Sequence, residues 1–315
     1  LIFRSLQGVF SAPLVALSQS IIVNAFPEKE RGKALSFWTL GLLIGPLIGP
    51  LLGGYFAEHY SWRWVFLINF PIGIMAFIGS YTCLEENKIN KKIKFAFLSF
   101  IFLALGASSM QIVLDRGQIL DWFSSNLIFN LTISAVIFLF LYFLMYFIKS
   151  KTLYPKEIFL DTNYIGGLIF VFLFGLLLVP PFILMPDFLS SIGGYPIDKI
   201  GIILTTSGLG GMTGTLIASR LLHYGCYKTL MFIGLIAYMI GQYYMTLWNS
   251  EVTMNMMMIN GIIRGMGIGL FYPALATATY VSLPSKFRDH GASLFQFIRN
   301  LGSAVSIAII VILMD

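Results

Sequence analysis

The sequence predicts an all-α integral membrane protein of about ten transmembrane helices. Of its 315 residues, 57% are hydrophobic and 11% are charged, whereas a soluble domain carries about 25% charge. Ten apolar stretches fill nearly all of the chain, roughly 1–24, 33–56, 64–84, 95–114, 127–148, 164–189, 200–222, 229–248, 255–281 and 290–314. Each is long enough for a bilayer core of about 30 Å, which takes about 20 helical residues. The loops between them alternate in charge. Fourteen Lys and Arg, among them Lys29, Arg31, Lys33, Lys88, Lys149, Lys228 and Lys286, fall at one face, and three, Arg63, Arg116 and Lys199, at the other. The richer face is cytoplasmic by the positive-inside rule, so the first span runs inward.

The chain opens at Leu1 without methionine, inside an apolar stretch, and ends at Asp315 just after another. No signal peptide is present, and a fragment cut at both ends is expected. The first span carries Arg4, Gln7 and Gly8 on one helical face, with Pro13 beyond. An arginine at the centre of a membrane helix costs at least about 2.5–3.5 kcal/mol. Arg4 therefore either snorkels to the outer headgroups or meets a partner inside. In the second span glycine recurs at 45, 49 and 53 and proline at 46 and 50, in the run Gly45-Pro46-Leu47-Ile48-Gly49-Pro50-Leu51-Leu52-Gly53-Gly54. The four-residue step puts the glycines on one side of a helix. A glycine face lets a second helix approach backbone to backbone. The prolines remove two donors and bend the helix, which lipid tolerates only where neighbours satisfy the freed carbonyls.

Trp62 and Trp64 open the third span, and Trp122 and Trp248 close other outer edges, as an aromatic belt does. Cys83 and Cys226 fall at inner ends of spans and read as free thiols. Between the fourth and fifth spans lies the outer loop Leu114-Asp115-Arg116-Gly117-Gln118-Ile119-Leu120-Asp121-Trp122-Phe123. On composition alone it is a solvated ion pair and an interface tryptophan. The longest polar connection, Lys149 to about Asn163, leads to the sixth span, which Pro180, Pro181 and Pro186 disturb. Asp187 at its outer end is the acid nearest to a membrane interior. Arg264 and Arg299 sit deep in the last two spans, where pairing with a carbonyl or a carboxylate is the structural explanation. Gln19, Gln111 and Gln242 are candidate polar pocket residues.

The inner loop 26–36 has a counterpart at 283–293: Phe26-Pro27-Glu28-Lys29-Glu30-Arg31-Gly32 against Leu283-Pro284-Ser285-Lys286-Phe287-Arg288-Asp289. Gln7-Gly8 and Arg264-Gly265 precede them in similar positions. Repeated halves, as in secondary transporters, and chance likeness of two basic loops both account for the match.

Composition excludes several classes. The net charge of +6 is spread over short loops and does not indicate nucleic acid. His59, His223 and His290 have no metal-ligand spacing. No nucleophile–base pair or intramembrane acid cluster points to an enzyme.

Three motifs together carry a family likeness. Arg4-x-x-Gln7-Gly8, the glycine–proline helix 45–54, and the Leu114-Asp115-Arg116-Gly117 loop joined to Asp121-Trp122-Phe123 resemble the EmrB-type proteins. These are 14-helix drug/proton antiporters of the major facilitator superfamily. Phe297-x-Arg299-x-x-Gly302 fits the family's penultimate helix. The resemblance runs over essentially the whole chain, whose spans then look like helices four to thirteen. It implies a division into 1–84 (the rest of an N-terminal half), 85–163 (two linker helices) and 164–315 (a C-terminal half). It implies proton coupling, with Arg4, Gln7 and Asp187 as candidates or an acid in helices one to three. It makes residues 45–54 the antiporter motif. It implies export of hydrophobic or cationic compounds across the bacterial inner membrane by alternating access. No cofactor is expected, since the proton gradient is the energy source. A periplasmic adaptor and an outer-membrane channel are expected partners where the host has an outer membrane. Export of an endogenous fatty acid, siderophore or peptide is the alternative, as is a truncated remnant that transports nothing.

Overall fold

A computed structural model describes residues 2–61, 63–83, 96–148, 153–191, 193–249 and 252–314. The basic segment 84–95, with four of the counted lysines, lies outside the described residues. The helices are α1 (Ile2–Ala25), α2 (Glu28–His59), α3 (Trp64–Leu67), α4 (Asn69–Cys83), α5 (Phe97–Arg116), α6 (Asn126–Ile148), α7 (Thr162–Leu178), α8 (Pro180–Ser191), α9 (Ile197–Leu221), α10 (Tyr227–Thr246), α11 (Met254–Tyr280) and α12 (Arg288–Met314).

Nine helical segments among the described residues are long and apolar enough to cross a membrane. The span expected at 255–281 is not among them, although α11 is a helix of 27 residues. Asn255, Asn260, Arg264 and four glycines make it polar for its length. The sixth span divides at Val179 into α7 and α8, where the Pro180-Pro181 pair removes two helical donors. By contrast, α2 remains one helix through Pro46 and Pro50. Large side chains point outward, as a lipid solvent requires: Phe70 is 72% and Tyr81 82% exposed.

The chain forms two compact units. The first comprises Leu1–Leu35, Phe95–Leu184 and Leu275–Asp315. Its axis is α12. Against α7, a Cβ at Gly302 would meet the Phe172 carbonyl and one at Gly175 would meet the Arg299 carbonyl. Close approach also lets Ser306 Oγ donate to Leu176 O at 2.7 Å. Asp161 caps α7 by accepting from Tyr164 N at 3.1 Å, and Tyr164 OH donates to Gly291 O at 2.7 Å. Gly106 of α5 sits against Leu139 of α6, and Phe102 stacks on Phe138 with centroids 6.1 Å apart.

The second unit comprises Ser36–Lys94 and Met185–Ala274. Here α9 and α11 pack backbone on backbone. Cβ atoms at Gly261, Gly265 and Gly269 would collide with Thr206, Ser207 and Gly211 respectively. Leu43 and Leu47 of α2 face Gly211 and Gly208 of α9, and Thr205 Oγ1 donates to Leu47 O at 3.1 Å. Met185, Leu189, Ile200, Ile203 and Met257 form one buried cluster; Ala218, Leu222, Leu230, Leu270 and Ala274 form another. No residue of α4 is buried.

Candidate functional site

The second unit holds a polar cluster around Arg264. The glycine contacts of α11 bring α9 close enough for the Ser207 hydroxyl to reach across. Arg264 is 2% exposed. Its Nη2 donates to Ser207 Oγ at 2.8 Å and points at Met185 Sδ at 3.8 Å, while Nη1 points at Met245 Sδ at 2.9 Å. Thioether sulfur is a weak acceptor, so two of three contacts leave the guanidinium poorly satisfied. The carbonyl or carboxylate expected as its partner is replaced by a hydroxyl and two sulfurs. The reason is steric: small residues bring Ser207 near, and flexible methionines fill the remaining space.

One turn away, Asn260 Nδ2 donates to Gly241 O at 2.8 Å, and its buried Oδ1 has no partner among the described residues. Gln242 Nε2 donates to Tyr238 OH at 3.2 Å, and its Oε1 is likewise without one. A groove of about 550 Å³ opens beside this cluster. Its walls include Tyr244, Trp248, Met256, Ile259, Asn260 and Ile263. Trp248, expected from the sequence at an outer edge, lines this groove and packs on Phe188 with centroids 6.1 Å apart.

The first unit has its own polar contacts between α1 and α12. Gln296 Nε2 donates to Gln19 Oε1 at 2.8 Å, with both side chains buried. Further along, Asp289 accepts from Asn24 Nδ2 at 2.9 Å and from Ser20 Oγ. Arg31 Nε donates to Val23 O at 3.0 Å. Asp289 of one of the two matching loops and Arg31 of the other thus each bond to the C-terminal part of α1. Nothing in the sequence paired Gln19 with Gln296; their shared signal was a glutamine inside an apolar span.

The other predicted residues scatter. The Arg4 side chain lies outside the described residues, and Gln7 is exposed. Asp187 is exposed on α8, where its carbonyl accepts from Ser190 Oγ at 3.2 Å and from Ser191 Oγ. It is not part of the Arg264 cluster. Among the described residues nothing lies within 4 Å of a Cβ built at Gly45, Gly49 or Gly53. Pro46, Pro50 and Gly54 are helical, and their packing lies outside the described residues. Arg299 is half-buried, with Nη2 at 3.3 Å from Asn300 Oδ1. Cys83 and Cys226 are exposed and free. No three His, Cys, Asp or Glu side chains converge among the described residues.

The 115–122 motif folds into a knot. Asp115 accepts from Gln111 Nε2 at 3.0 Å, and Arg116 ends α5, exposed. A Cβ at Gly117 would lie 2.7 Å from the Trp122 ring. The indole Nε1 donates to Gln118 Oε1 at 2.7 Å, and Trp122 N to Gly117 O at 2.7 Å. Asp121 (φ 53°) and Trp122 (φ 49°) are both left-handed, each at a cost of about 1–3 kcal/mol. Asp115 and Arg116 are therefore less a solvated pair than the end of a helix tied to a strained turn.

Comparison with known proteins agrees with this architecture. The family described as Major Facilitator Superfamily matches residues 1–196. The chain is 28% identical over 309 residues to "Multidrug export protein EmrB" of Haemophilus influenzae, covering 97% of this chain and 60% of that protein. It is 30% identical to "Probable multidrug resistance protein EmrY" of Escherichia coli, covering 96% and 60%. It is 28% identical to "Fatty acid resistance protein FarB" of Neisseria gonorrhoeae, covering 98% and 61%. The chain thus spans about 60% of the length of these relatives. Apolar helices and bacterial relatives together make it a multi-pass protein of the bacterial inner membrane. Its kin are transporters rather than enzymes, and the chain belongs to the major facilitator superfamily.

Proposed function

We propose that this protein is an exporter that moves hydrophobic compounds outward across the membrane by alternating access, driven by proton entry. Family membership supports transport, and the similarity to proteins named for multidrug export supports its direction. The observation that carries the reading is the buried Arg264 cluster within a bundle of apolar helices, with a groove lined by its neighbour Asn260. A charge at that depth marks a functional site by default. Proton coupling is assigned to Arg4 with Gln7 or Asp187, or to an acid outside this sequence. No cofactor takes part. A periplasmic adaptor and an outer-membrane channel would complete the path in a host with two membranes. A second reading, export of an endogenous fatty acid, is favoured by the relative named for fatty acid resistance.

Efflux of a lipophilic dye from cells lacking their own exporters tests the reading. Nigericin, which collapses the pH gradient, should stop efflux. Efflux unaffected by nigericin would contradict proton coupling, and dye retained in energised cells would contradict export. Within a working exporter, Arg4→Ala should abolish the pH dependence, and Arg4→Lys should keep part of it. Normal pH dependence in Arg4→Ala would remove Arg4 from coupling.

A further inference from the structure

Methionines crowd the Arg264 end of the second unit. Met185 and Met257 lie in one buried cluster, and Met245, Met254 and Met258 pack against it. Two of them face the guanidinium: Met245 Sδ is 2.9 Å from Nη1, and Met185 Sδ is 3.8 Å from Nη2. A guanidinium carries five N–H donors and no acceptor. Among the described residues the Ser207 hydroxyl is the oxygen it reaches, at 2.8 Å. The cation is thus short of oxygen acceptors, and thioether sulfur is a weak substitute. Close packing holds the pair in place. A Cβ at Gly241, one turn before Met245, would lie 2.9 Å from the Cβ of Arg264.

The two sulfurs differ in access. Met185 is 1% exposed, whereas Met245 is only partly buried. Met245 stands in the last turn of α10, between Tyr244 and Leu247 of the groove wall. Loop charge puts this end of α10 at the outer face. A small neutral oxidant therefore reaches Met245 before Met185.

Oxidation of a core methionine usually disrupts packing, because an apolar side chain becomes polar. At Met245 the sign reverses. The sulfoxide oxygen is a good acceptor, and the donor beside it is a cation that lacks one. Hydrogen bonds to charged groups are the stronger class. Methionine changes rotamer at little cost, so the sulfur withdraws and the new oxygen takes its place beside Nη1. Met257, 2% exposed in the same cluster, is not among the sulfurs that Arg264 contacts.

We propose that Met245 is an oxidative modification site whose sulfoxide is held by Arg264, tying α10 to α11. The oxidant is a hydroperoxide. The sulfur lone pair attacks one peroxide oxygen, and an S–O bond forms as the O–O bond breaks. The departing hydroxide takes the proton of the transferred oxygen and leaves as water. Sulfur loses two electrons and the peroxide gains them. Methionine sulfoxide reductases reverse the change. The site depends on the packing of α10 against α11 and not on the export reading.

The test uses the protein in lipid nanodiscs, hydrogen peroxide, peptide mass spectrometry and thermal melts. Met245 should gain oxygen at least about tenfold faster than Met257, since susceptibility follows exposure. Met245→Leu is the reference for stability, because it keeps the bulk and removes the sulfur. The change in melting temperature on oxidation should be about 2–4 °C more favourable in wild type than in Met245→Leu. Treatment with both sulfoxide reductases should abolish that difference. A second comparison needs no oxidant. Glutamine is close to methionine in length and carries an amide oxygen near the position of the sulfoxide oxygen. Met245→Gln should reach wild-type abundance in the membrane, whereas Met257→Gln should be lost from it. Oxidation of Met245 no faster than that of Met257 overturns the proposal. So does a change on oxidation that is no more favourable in wild type than in Met245→Leu, or loss of Met245→Gln to the same extent as Met257→Gln. The glutamine pair decides even if Met245→Leu does not fold.

Discussion

Two glycine rows of the same spacing meet different fates. In α11, Gly261, Gly265 and Gly269 are pressed against the backbone and side chains of α9, with no room for a Cβ. In α2, Gly45, Gly49 and Gly53 have nothing within 4 Å among the described residues. Leu43 and Leu47 supply the α2 contact to α9 instead, from the opposite side of the helix. A four-residue glycine step therefore predicts a flat face and not its partner. The α11 row is consumed by fixed packing that also positions Arg264. The α2 row has no such neighbour among the described residues, and we propose that its contacts are the changing ones of transport.

The sharpest way to break this contrast is Gly265→Leu. Its side chain has nowhere to go but into the Ser207 carbonyl. The cost should exceed the upper end of the about 1–3 kcal/mol usual for overpacking, because backbone must move. Loss of folded protein from the membrane, read by fluorescence-detected size exclusion, is expected; normal abundance would mean that α9 and α11 are not in register as described. Gly302→Leu should act similarly through α7, where the Phe172 carbonyl occupies the space.

A smaller effect is expected at Gly117→Val, where a Cβ meets the Trp122 ring, which can swing aside, as well as the Val113 carbonyl. Loss of roughly 1–3 kcal/mol and a red-shifted Trp122 emission should follow as the ring is displaced. An unchanged melting curve would show that the knot contributes nothing. Smallest of all is a labelling experiment that leaves packing alone. In a background without Cys83 and Cys226, Ser124→Cys should react with an impermeant maleimide in intact cells, and Asn90→Cys should not. Reversed labelling would overturn the orientation, and with it the side from which the α2 row is approached.

Much of the fold was legible because lipid restricts the choices. Helix positions followed from apolar length, and Pro180, Pro181 and Pro186 announced a disturbance in the sixth span, though not its division into two helices at Val179. Arg264 was legible as a costly charge, since only a few residue types are tolerated at that depth. Its partners were not: Ser207, Met185 and Met245 lie on three other helices, and no local pattern encodes such a meeting. The 115–122 knot was visible as a motif, but the left-handed Asp121 and Trp122 have no glycine to announce them. Asn260 carried a weak signal, an amide one turn before an arginine, that becomes meaningful only with the groove in view.

The most direct test of the two-row account is Gly49→Leu in a working exporter, scored as efflux per molecule in the membrane. The new side chain finds open space in the described structure, so abundance and melting temperature should match wild type. Efflux per molecule should nevertheless fall by about tenfold or more, because the smooth face can no longer meet a second helix closely. Wild-type efflux from Gly49→Leu would contradict the assignment of this face to transport. A collapse in abundance would contradict its being free of fixed packing.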